Sequence, residues 1–113
     1  MELNSIGYFQ FNNLIQSRVP MILLVIENID LKPWYNSIIQ MHLENISIHC
    51  QSSEALFRVQ EKNMPKNFAV VILDYEGVEG SELAHLIEKE GYLNTYFVKG
   101  GFKGLEEERQ KLK

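Results

Sequence analysis

The sequence predicts an α/β domain in three layers, with a mostly parallel central sheet covered by helices on both faces. Three observations predict it. Met21 to Ile26 and Phe68 to Leu73 are continuous apolar runs rich in Val, Ile and Leu. Such runs mark strands buried on both faces, the habit of parallel sheets. Candidate strands and helices also alternate along the chain. Finally, Phe68 to Phe102 reads as one strand, loop, helix, turn and strand, a βαβ unit closed by a glycine turn.

Taken in order, Met1 to Tyr8 is an irregular or short extended lead-in. Phe9, Phe11, Leu14 and Ile15 follow helical spacing and stop before Pro20, because the residue preceding a proline avoids the α region. Met21 to Ile26 is the first buried strand, and Glu27 to Pro33 is turn-rich. Trp34, Tyr35, Ile38, Ile39 and His42 or Leu43 recur at helical spacing. Ile46 to His49 alternates as a short strand ending at Cys50. Ser52 or Ser53 caps a helix carrying Ala55, Leu56 and Val59. Lys62 to Asn67, with Pro65, is a surface loop.

The second buried strand follows, then a polar loop from Asp74 to Gly80. Ser81 to Glu90 is a helix with Leu83, Ala84, Leu86 and Ile87 on one side. Gly91 stops it as a residue able to take positive φ. Thr95 to Val98 is a β-branched and aromatic strand. Gly104 to Lys113 is a charged last helix with Leu105 and Leu112 as its strong apolar contacts.

The chain has 113 residues, 45% of them hydrophobic, which suits one domain spanning 1–113 with its own core. A net charge of −4 argues against nucleic acid as a partner. No apolar run is long enough for a membrane span, and the Met-Glu-Leu-Asn start lacks a basic leader. With Cys50 as its only cysteine, the chain forms no internal disulfide, and a reducing cytoplasm is the expected setting. No cofactor or metal is expected. His42, His49 and His85 lack ligand spacing. Lys99 to Gly104 lacks the Gly-Lys-Ser/Thr end of a phosphate loop.

The stretch from Gly91 to Leu105, GYLNTYFVKGGFKGL, resembles the later part of rhodanese-like (sulfurtransferase) domains. There a Gly-aromatic pair, a strand and Gly-Gly-aromatic precede the final helix, and Leu105 lies where the family often has Trp. Carried back without gaps, the resemblance sets Gly77 on the loop glycine of the family's Cys-x-x-Gly-x-Arg-Ser. It sets Asp74 on the catalytic cysteine, Glu79 on the arginine and Gly80 on the serine. Anchoring on Ser81 instead sets Tyr75 on the cysteine. Neither register supplies a thiol. Toward the N-terminus, Leu24 to Asn28 stands for the family's Ile-Asp-x-Arg, with Ile26 and Asn28 replacing Asp and Arg. Ile29-Asp30-Leu31-Lys32 is a rival match. Met41-His42-Leu43 echoes Gly-His-Ile.

The resemblance implies a family that carries sulfur as a cysteine persulfide, its anion favoured by loop amides and a helix N-terminus. The loop Asp74, Tyr75, Glu76, Gly77, Val78, Glu79 and Gly80 has no sulfur and brings three carboxylates. At ~4 Å and a surface-like dielectric, one like-charge contact costs a few kcal/mol before screening, so the loop should repel an anionic donor. The plain reading of these acids is as solvated residues favoured by the helix dipole, or as carboxylates that accept from the free amides of the helix's first turn. The expected function is therefore a non-catalytic, degenerate rhodanese-like domain that binds or regulates a protein partner of unknown identity. The alternative is an active sulfurtransferase carrying sulfur on a displaced Cys50. Its plain counterpart is a small packing residue at a strand end. Other readings make Asp74 a phosphoryl acceptor or, with Glu76 and Glu79, an Mg²⁺ or Ca²⁺ ligand. Trp34, Tyr35 and Tyr75 are candidate exposed aromatics.

Overall fold

The computed structural model describes residues 4–112. Five strands and five helices alternate: β1 (Ser5–Ile6), α1 (Tyr8–Gln16), β2 (Ile22–Ile26), α2 (Ser37–Ile46), β3 (Ser47–Cys50), α3 (Ala55–Glu61), β4 (Val70–Leu73), α4 (Val78–Lys89), β5 (Thr95–Val98) and α5 (Gly101–Lys111). Short 3₁₀ turns lie at Lys32–Trp34 and Ser52–Glu54. The sheet has the order β1-β5-β4-β2-β3, and every pair is parallel. All strands therefore end on one rim.

Successive residues of a strand face opposite sides, and the core splits accordingly. Leu23 and Val25 of β2, with Val71 and Leu73 of β4, pack beneath Phe11, Ile15, Ile39, Leu43 and Leu105 of α1, α2 and α5. Ile22, Leu24, Ile26, Val70 and Ile72 pack on the other face against Ala55, Val59, Leu83, Ala84 and Ile87 of α3 and α4. This is why the two apolar runs are continuous: each neighbour in sequence enters a different layer. Burying each such Leu or Ile side chain stabilises by roughly 1.5–3 kcal/mol before entropy is charged.

Several boundaries differ from the sequence reading. The lead-in contains the two-residue strand β1, held where the Phe97 N–H donates to the Asn4 carbonyl and the Lys99 N–H to the Ile6 carbonyl. Its first residues, 1–3, lie outside the described residues. Trp34 and Tyr35 are not on a helix. Trp34 ends a 3₁₀ turn, and α2 starts at Ser37, with the Asn36 side chain accepting from the Ile39 N–H at 3.0 Å. Ser52 and Ser53 belong to a 3₁₀ turn and do not cap α3. The last helix starts at Gly101 rather than Gly104, and Leu112 is exposed. Its expected final residue, Lys113, lies outside the described residues. Among the described residues no helix is long and apolar enough to cross a membrane.

Candidate functional site

The loop after β4 lies on the carboxyl rim, and backbone contacts build it. The amides of a helix's first turn have no partner inside the helix. In α5 two of them find one in this loop. The Phe102 N–H donates to the Asp74 carbonyl at 2.7 Å, and the Lys103 N–H to the Tyr75 carbonyl at 3.0 Å. Glycines make the approach possible. A Cβ on Gly101, whose φ is +63°, would sit 2.5 Å from the Asp74 carbonyl oxygen. A Cβ on Gly77, at φ +95°, would sit 2.8 Å from the Gly100 nitrogen. Both clashes are with backbone, which cannot swing aside.

The structure corrects the sequence reading of this loop in two ways. Asp74 is not a solvated acid: it is 2% exposed. Its Oδ2 accepts from the Gly77 N–H at 2.9 Å. Its Oδ1 has no hydrogen-bond partner among the described residues and lies so close to Gly80 that a Cβ there would meet it at 2.7 Å. The loop itself is also shorter than expected. Gly77 is the N-terminal cap of α4, so Val78, Glu79 and Gly80 form its first turn. Buried and projecting residues alternate here. Asp74, Gly77 and Gly80 point in, whereas Tyr75, Glu76, Val78 and Glu79 are exposed.

Beside the loop runs an aromatic stack. The rings of Trp34 and Phe102 are stacked, nearly parallel at 12° with centroids 5.1 Å apart. Tyr75 follows, 6.3 Å from Phe102 at 33°. At the other end the Arg109 guanidinium sits 4.9 Å from the centre of the Trp34 ring. Of these, sequence reasoning singled out Trp34 and Tyr75 but missed Phe102 and Arg109. The signal for Phe102 was the Gly-Gly-aromatic turn, which ties its ring to the loop.

Cys50 ends β3 opposite Ile26 of β2, and β2 separates it from β4. Its side chain packs with Ile26, Ile48 and Ala55 and is 8% exposed. Burial pushes the thiol up from its ordinary value; Arg58 opposes it, and the Glu54 carboxylate adds a smaller upward push. His49 is exposed on the opposite side of the strand, as alternation requires. A cleft reaches Cys50 between Glu27, Asn28, Gln51 and Glu54, and no residue from Asp74 to Gly80 lines it. The structure therefore keeps the thiol and the loop apart. Among the described residues, no three His, Cys, Asp or Glu side chains stand close enough to hold a metal ion.

The chain matches no protein-family model, and no curated protein matches it in sequence. Solved structures do match. A rhodanese-related protein from Thermoplasma volcanium aligns over 93% of this chain and 92% of its own, with 19% identity and a TM-score of 0.60. The human single-domain sulfurtransferase aligns over 92% of this chain and 96% of its own, with 13% identity and a TM-score of 0.63. An NAD-dependent persulfide reductase from A. fulgidus aligns over 88% of this chain, with 15% identity and a TM-score of 0.59. This chain spans 15% of that reductase. The fold is thus that of rhodanese-type sulfurtransferase domains, a five-stranded parallel sheet flanked by helices.

Proposed function

We propose that this chain is a non-catalytic rhodanese-like domain, one unit over residues 1–113, that works in the cytoplasm by binding a protein partner. One observation carries the reading. The position that the resemblance aligns with a sulfur-carrying cysteine holds Asp74, a buried carboxylate already bonded to the Gly77 amide. A carboxylate has no sulfur to load, and this one is closed to a donor. Glu79, aligned with the family's arginine, adds negative charge at the first turn of α4, where an anionic donor would approach.

The second reading, sulfur transfer by Cys50, is weaker on two counts. The thiolate is the nucleophile, and burial holds this thiol in its neutral form. Asp74 to Gly80 also contribute nothing to the cleft that reaches it.

The test combines a thiosulfate-to-cyanide assay with intact mass after incubation with thiosulfate. No turnover and no gain of one sulfur atom are expected. A gain on the wild type that vanishes in Cys50→Ser would overturn the proposal in favour of the second reading. The double substitution Asp74→Cys with Glu79→Arg should gain measurable loading. Its thiolate would attack the outer sulfur of thiosulfate, form the persulfide and release sulfite.

A further inference from the structure

The exposed end of the aromatic stack is unfinished, and its chemistry says what would complete it. The stack runs Arg109, Trp34, Phe102, Tyr75. At its inner end the chain supplies its own guanidinium, 4.9 Å from the Trp34 ring centre. At its outer end Tyr75 is 51% exposed, and no cation of the described residues stands over its ring. Beside it Glu76 and Glu79 are exposed and form no ion pair among the described residues. Val78, 66% exposed, lies between them in sequence. The backbone beneath is held by the Phe102 and Lys103 amides and by the glycine contacts, so these side chains stand on a fixed platform.

Resting on the binding-module reading, we propose that Tyr75, Glu76, Val78 and Glu79 form a docking surface for an arginine-bearing segment of a protein partner. An aromatic face attracts a cation, and guanidinium best of all because it is planar and can stack. Its fork of N–H donors matches a carboxylate in two parallel bonds. A lysine would gain the charge attraction but lose the stack and the fork. Val78 offers an aliphatic contact for a neighbouring apolar residue.

The test uses the full chain and three blocked hexapeptides, alternating leucine with arginine, lysine or glutamate. The readouts are backbone amide shifts and the fluorescence of Trp34, the only tryptophan. The arginine peptide should bind weakly, with shifts centred on Tyr75 to Glu79 and Phe102. Tyr75→Ala should weaken it about five-fold, the size of one exposed cation–π contact. Glu76→Gln with Glu79→Gln should weaken it about ten-fold and remove most of its salt dependence. The lysine peptide should bind less tightly and the glutamate peptide not at all. Shifts centred elsewhere, equal binding of the arginine and lysine peptides, or indifference to Tyr75→Ala would overturn the proposal. Sulfur-transfer activity tests the underlying reading separately, so the two can fail independently.

Discussion

Asp74 follows β4 and Cys50 ends β3, on the same rim of the sheet with β2 between them. Both side chains are buried, at 2% and 8% exposure. Their surroundings differ in kind. Asp74 sits in polar backbone: its own carbonyl takes an amide from α5, and its carboxylate takes the amide of Gly77. The Cys50 carbonyl also takes an amide, that of Glu27, but its side chain lies among Ile26, Ile48 and Ala55 and has no amide bonded to it among the described residues. Amides oriented toward a strand end favour negative charge, whereas a hydrocarbon setting disfavours it. Of these two strand ends, the thiol is at the one whose burial disfavours a thiolate, and the other holds a carboxylate bonded to an amide. The lesson is that backbone geometry decides where anionic chemistry can occur, whichever residue carries the reactive atom.

The largest expected effect tests the backbone half of this comparison. Gly101→Ala places a methyl against the Asp74 carbonyl oxygen at a φ of +63°. It should cost about 3 kcal/mol, summing left-handed strain and overpacking. Urea unfolding would measure it, and a loss below about 1 kcal/mol would mean that the loop is not pinned. A smaller effect is expected for Asp74→Ala. It strands the Gly77 N–H but also removes the unpartnered Oδ1, for a net loss of about 1–2 kcal/mol. Stabilisation by this variant would show that the unpartnered oxygen outweighs the bond.

The smallest effect sharpens the Cys50 half. Because its pKa is raised in the fold above the ordinary 9.0, the native thiolate fraction at each pH is below that of an unfolded thiol. Iodoacetamide should therefore label the native protein more slowly than the urea-unfolded chain, with the native rate still climbing past pH 9.0, where the unfolded rate levels off. The contribution of the neutral thiol is complete below the unfolded value and is lost as pH rises through the folded one. Native labelling as fast as unfolded would remove the contrast between the two strand ends.

Much of this fold was legible in the sequence because the double-sided burial of β2 and β4 leaves no polar position in either run. Gly77 and the glycine pair before Phe102 were legible as turns for the same local reason, their tolerance of positive φ. Other features were set by distant partners. Ser5 and Ile6 form a strand only because β5 lies beside them. Asp74 is polar in any local view, and its burial depends on α5 folding across it. The start of α2 moved because Pro33 lies within a tight turn that closes before Asn36 offers its cap. Trp34 thereby left the helix and joined a stack with Phe102, far along the chain. No periodicity spans such a distance.

The strand order also fixes a sequence of events in time. Ser5 pairs with Phe97 and Ile6 with Val98, so β1 leaves a ribosome long before the strand it pairs with. By contrast, β2, β3 and β4 find one another within the middle of the chain. A nascent chain can therefore assemble that central trio early, while the N-terminal strand waits for β5. Closing so long a loop carries the largest entropic cost of any pairing in the sheet, and two residues share it. The β1 edge should be last to form in folding and first to open in native-state hydrogen exchange.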